Sequence, residues 1–169
     1  MSHPLVLAVY QTSAAAAAAA RALHSLGIQR EHLSVVARTH DEEGALAEQM
    51  NATPGADIED SRAAARLGEL GGVALAAIAL VMPGIGPIVA AGPLSADLGE
   101  AAGHAAGGIA AVLSGAGVAE NRAEAIQQEV EHGALLLGVH VTQADLDQVR
   151  HALEATGAAQ IEIANWSEL

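Results

Sequence analysis

Apolar residues fall along this chain in a pattern that occurs twice. The run Leu5 to Tyr10 is short, apolar throughout and stopped by Gln11-Thr12-Ser13. Such a run suits a β-strand buried on both faces. Thr12 or Ser13 can cap the helix that follows, and Ala14 to Ala20 is an alanine run of the highest helix propensity. The helix continues through Arg21, Ala22, Leu23 and Leu26, stops at Gly27, and a strand over Leu33 to Ala37 follows. The second copy reads Ala134 to Val141 as strand, Thr142 as cap, Gln143 to Thr156 as helix, Gly157 as stop and Ile161 to Ala164 as strand. Leu7, Val9, Thr12, Ala22, Leu23 and Gly27 recur as Leu137, Val139, Thr142, Ala152, Leu153 and Gly157 at one constant offset.

Two repeated β-α-β halves predict an α+β chain folded as a ferredoxin-like β-α-β-β-α-β sandwich. In that topology the first and third strands are central, and both are apolar on both faces here. The second and fourth strands are edges, and polar residues interrupt both: Ser34 and Arg38 in one, Glu162 in the other. Residues 1–39 form the first half and residues 134–169 the second, together one domain. Residues 40–133 are an insertion between them.

The insertion opens as an acidic loop, and a helix begins near Asp60 or Ser61. From Leu70 to Ala96 it carries no charge. We read this stretch as a large helical Ala/Gly-rich hairpin: one arm to about Met82, a break at Pro83-Gly84-Ile85-Gly86-Pro87, and a second arm from Ile88 to about Leu113. An acidic amphipathic helix, Asn121 to His132, leads back to the sheet. A spanning helix needs ~20 apolar residues. The first arm is shorter, and the second carries Asp97, Glu100 and His104. A buried hairpin is therefore preferred to membrane insertion.

Composition narrows the function classes. The core must be built from Ala, Val, Leu and Ile, because the chain has one Tyr, one Trp and no Phe. The net charge is -13 and all seven basic residues are Arg, so no basic stripe exists to neutralise phosphates, and nucleic-acid binding is not expected. Cysteine is absent, which removes disulfides and thiolate chemistry. The N-terminal residues lack a secretory pattern, and a cytoplasmic location is expected.

The glycines Gly68, Gly72, Gly99, Gly103, Gly107 and Gly108 stand at close-packing intervals and predict a self-association surface. A ferredoxin-like sheet carries helices on one face, so its other face needs the hairpin or a second subunit as cover. A homo-oligomer is the expected partner state. Glu100 and His104, four apart on a helix, could share a metal ion with Asp97, although no second Glu-x-x-His completes a bundle site. His140, level with Tyr10 in the repeat, is the candidate pocket residue. No nucleophile elbow or phosphate loop is present, and a non-enzymatic role without cofactor is expected. The alternatives are a small-molecule- or metal-binding sensor module with its site at a subunit interface, or a peripheral membrane protein that inserts the hairpin.

The segment Val6-Leu7-Ala8-Val9-Tyr10, Ala18, Ala22-Leu23, Leu26-Gly27-Ile28 and Leu33-Ser34-Val35-Val36-Ala37 resembles the heat-induced general stress (YflT-like) protein family. Larger bacterial relatives are similar further on, at Pro83 to Pro87 and Ala91 to Leu94. The resemblance implies a stress-associated bacterial protein with no established catalytic residues. The uniform run Ala14 to Ala20 departs from the family's spaced alanines.

Overall fold

The computed structural model describes residues 2–38, 77–82, 86–103 and 108–167. The chain is α+β. Strands β1 (Ser2–Tyr10), β2 (Leu33–Arg38), β3 (Ala77–Met82), β4 (Gly86–Ala91), β5 (Leu135–His140) and β6 (Gln160–Ser167) form one antiparallel sheet in the order β3-β4-β2-β5-β1-β6. Five α-helices are described: α1 (Ser13–Ser25), α2 (Leu94–Gly103), α3 (Ile109–Gly115), α4 (Glu120–Glu131) and α5 (Leu146–Ala155).

The helices of the two repeats, α1 and α5, lie on one sheet face. Val6, Ala8 and Tyr10 of β1 and Leu137 and Val139 of β5 pack there against Ala16, Ala19 and Leu23 of α1 and Val149 and Leu153 of α5. The second face holds Leu5, Leu7, Val9, Val36 and Leu136, covered by Leu94, Leu98, Ile109, Leu113, Ile126 and Val130 of α2, α3 and α4. The chain therefore supplies its own cover for the face expected to need a partner. Burying these aliphatic side chains stabilises the fold by roughly 1.5–3 kcal/mol each.

Local signals in the repeats act as read. Thr12 accepts the Ala15 N–H at 3.2 Å and caps α1. Gly27 and Gly157 both stop their helices at φ 85°, a conformation that favours glycine. The second helix starts later than expected: Asp145 is its N-cap, and Thr142 spends its hydroxyl on the Asp145 carboxylate at 2.6 Å.

Three expectations are corrected. First, Ala77–Met82 and Gly86–Ala91 are strands and not arms of a helical hairpin. They hold β-branched Ile78, Val81, Ile88 and Val89 among the alanines, and β4 pairs with β2 from Val35↔Ala91 to Arg38↔Ile88. Unpaired backbone groups along β2 offer such a segment a full ladder, which overrides the weak helix preference of alanine. Helix resumes only at Leu94. Second, β2 is an interior strand, because β4 covers it; only β6 of the expected edge pair remains at an edge among the described residues. Third, the repeat slips by one residue in its leading strands. Leu7 and Val9 face the α2–α4 side, whereas Leu137 and Val139 face the α1/α5 side.

The inserted layer is anchored at β2. Ser34, fully buried, accepts the Leu94 N–H at 3.0 Å where α2 begins. Gly92 enters that helix at φ 84°, and a Cβ there would lie 1.9 Å from the Leu33 carbonyl oxygen. Gly138 leaves the hollow in which the Leu94 side chain sits, since a Cβ on it would meet Leu94 Cδ1 at 2.8 Å. At Gly27, by contrast, nothing lies within 4 Å of such an atom. Gly27→Ala should therefore cost only the left-handed backbone penalty, about 1–2 kcal/mol, while Gly92→Ala adds a backbone clash and costs more. Urea denaturation of both variants checks the order.

Candidate functional site

Tyr10 and His140 do not share a pocket. β1 and β5 run antiparallel with Leu5↔His140 and Tyr10↔Leu135 in register, so the two residues stand at opposite ends of the sheet. The one-residue slip also places them on opposite faces. Residues level in the sequence repeat are thus far apart in the sheet.

Tyr10 is structural. Its ring is fully buried under α5. Its hydroxyl donates to the Leu153 carbonyl at 3.2 Å and lies 2.9 Å from Thr156 Oγ1. Burial raises the phenol above its ordinary value of 10.0, against a smaller opposing effect of the Thr156 hydrogen bond. The folded state thus favours the protonated phenol. Its stabilisation is complete below the unfolded value and is lost as pH rises through the folded one. Stability of the wild type should fall above about pH 10, and Tyr10→Phe should flatten that fall while costing about 1 kcal/mol at neutral pH. Thermal melts across alkaline pH measure both effects, and with a single Tyr in the chain the phenolate absorbance belongs to Tyr10.

His140 has a different setting. It is 6% exposed and sits at the end of β5. Its Nδ1 lies 2.8 Å from Nε2 of His3, with the ring centroids 5.0 Å apart. The Trp166 ring stands edge-on to it at 5.2 Å and 88°. Three strands build the cluster: His3↔Trp166 are partners in the β1–β6 ladder, and Val141 N–H donates to the Pro4 carbonyl at 3.0 Å just beyond His140. At 2.8 Å one proton lies between the two imidazoles, because two imidazolium rings would set N–H against N–H.

Neither His3 nor Trp166 stands out as a site residue in the sequence. The signal available was strand length. β1 begins at Ser2, before Pro4, and β6 runs to Ser167, well past Ala164. These extensions bring His3 and Trp166 to His140.

The metal-site residues are partly described. Asp97 and Glu100 lie on α2; burial first, then the Glu100 charge, raise the Asp97 carboxyl above its ordinary value. His104 lies outside the described residues. Among those described, no group of three or more His, Asp or Glu is placed to hold a metal ion. Of the glycines, Gly68, Gly72 and Gly107 also lie outside. Gly99 and Gly103 are on α2. Gly108 packs within its own chain, where a Cβ would meet Gln127 Oε1. That Gln127 accepts the Ala110 N–H at 2.9 Å and donates to Glu131 at 2.9 Å. The end of α4 is tied to the same chain as well: Gln11 donates to the Glu129 carboxylate at 2.7 Å, and Arg38 donates to the Glu131 backbone carbonyl at 2.7 Å.

No protein-family model, curated protein or solved structure matches this chain. No helix among the described residues is long and apolar enough to cross a membrane.

Proposed function

We propose that this chain is a non-enzymatic, self-associating module: a ferredoxin-like unit with an inserted third layer, whose copies pair through the outer edge of β6. The order β2-β5-β1-β6 with α1 and α5 on one face supports the ferredoxin-like reading. The non-catalytic role carries forward what the resemblance to general stress proteins implies.

One observation carries the assembly reading. Ile163, near the middle of β6 and opposite Val6, is 47% exposed on the face that α1 and α5 otherwise cover. An edge strand presents a row of unpaired N–H and C=O groups to any strand that can reach it. β6 reads Gln-Ile-Glu-Ile-Ala-Asn-Trp-Ser, with no Pro and no Lys to block pairing. Its one charge, Glu162, is offset by Arg122 of α4 at 3.3 Å. A second copy fits this edge by symmetry. A two-fold axis normal to the sheet at Ile163 sets Ile163 against its own copy in an antiparallel ladder. The contact moves to β6 from the glycine-rich segment because residues 77–82 and 86–91 are sheet and Gly108 is packed on Gln127.

The net charge of -13 opposes association, so added salt should favour the multimer. Light scattering after size exclusion should give a defined multiple of 16.9 kDa for the wild type. Ile163→Lys should return the mass to that of the monomer with unchanged far-ultraviolet circular dichroism. A monomeric wild type, or a variant that keeps the multimeric mass, sinks the reading.

A further inference from the structure

The His3–His140 pair does something the assembly reading does not use. We infer that it is a two-imidazole binding site for a divalent first-row transition-metal ion of the class that imidazole favours, Zn2+ or Cu2+. The inference does not depend on edge pairing.

Four observations carry it. The two nitrogens, His3 Nε2 and His140 Nδ1, already point at each other across 2.8 Å. They come from residues far apart in the chain and are held by the β1–β5 and β1–β6 ladders, so the arrangement is built by the fold. His140 is buried and His3 is half-buried, which gives a fixed ligand on one side and a path from solvent on the other. The chain has no cysteine, so no thiolate competes for the ion.

The chemistry is an exchange of the shared proton for the metal. Both imidazoles must be neutral with their facing nitrogens bare, so the bridging proton moves through solvent to the far nitrogen of the ring that carried it, and the metal takes its place between the rings. Metal–nitrogen bonds of about 2.0–2.1 Å at a tetrahedral centre place two nitrogens about 3.3 Å apart. The gap of 2.8 Å must therefore open by about half an ångström, and the rings must tilt so that their lone pairs meet beside the line that joins them, a movement asked of half-buried His3 at the start of β1 rather than of buried His140. Water fills the remaining coordination positions on the solvent side. Trp166 packs on His140 at right angles, with ring centroids 5.2 Å apart, and limits how that ring can turn. The acidic chain raises the local concentration of cations.

The test is calorimetric titration of the metal-free full chain with Zn2+, repeated in excess Mg2+ so that surface carboxylates are already occupied. The expected result is one Zn2+ per chain, weakened as pH falls because protons compete for the imidazole nitrogens. His3→Ala and His140→Phe should each weaken it by more than about tenfold. His3→Ala alters a half-buried position at a strand end, so it reports on binding even if His140→Phe unfolds. No Zn2+ heat from the wild type overturns the inference. So does binding that survives His3→Ala, which would assign the ion to carboxylates.

Discussion

The third layer of this fold depends on one hydrogen bond in a hollow. The Leu94 N–H, one of the unpaired donors at the start of α2, is satisfied by the hydroxyl of Ser34, which no solvent reaches. Both groups need the bond. A buried hydroxyl or amide left without a partner costs roughly 1–3 kcal/mol. The hollow exists because Gly138 carries no side chain and because Gly92 lets the backbone pass directly over Leu33. From this point α2 starts, and Leu94 and Leu98 cover the sheet beside Ile88 and Leu136. What looked in the sequence like a polar interruption marking an edge strand is the peg on which the inserted helices hang.

The same bond explains why β2 is interior. Once α2 is pegged at Ser34, the segment before it must arrive beside β2, and β4 does so with Ala91 opposite Val35. A short strand of Ile, Val and Ala entering there completes the ladder that β2 would otherwise expose. Among the described residues the insertion thus moves one edge of the sheet from β2 out to β3 and leaves the other at β6. The two halves are related in sequence but unequal in surroundings, and β6 keeps the edge that β2 lost.

Much of the repeat was legible. Thr12, the alanine helix, Leu23 with Leu153, and the paired stops Gly27 and Gly157 all follow from local chemistry, and each acts within a few residues. The facing of the strands was not legible. Alternation reveals register only where one face is polar, and here both faces of β1 and β5 are apolar. A slip of one residue then leaves no mark in the pattern, although it turns Leu137 away from the face that holds Leu7. The inserted strands were hidden for a related reason. Alanine is compatible with helix and strand alike when burial decides, and it is the partner strand that decides. Of the candidate site, His140 was found because it ends an apolar strand. His3 and Trp166 were missed because their role appears only when β1 and β6 are paired over their full lengths.

That pairing joins the two ends of the functional argument. β6 is held against β1 from Val9↔Gln160 to Ser2↔Ser167, so Ile163 at its middle and Trp166 near its end belong to one rigid ribbon. His3 sits opposite Trp166, and the His3–His140 contact ties the start of β1 to the end of β5. A frayed β1 start would release the end of β6 and blur the edge proposed to pair with a second copy. A group that bridges the two imidazoles therefore stiffens the strand that presents the edge. An edge already in its paired conformation loses less conformational entropy when the second copy arrives. The histidine cluster and the exposed edge are separate sites in chemistry but share one mechanical element, β6. Its order depends in part on the start of β1, which the ladders and the histidine pair hold.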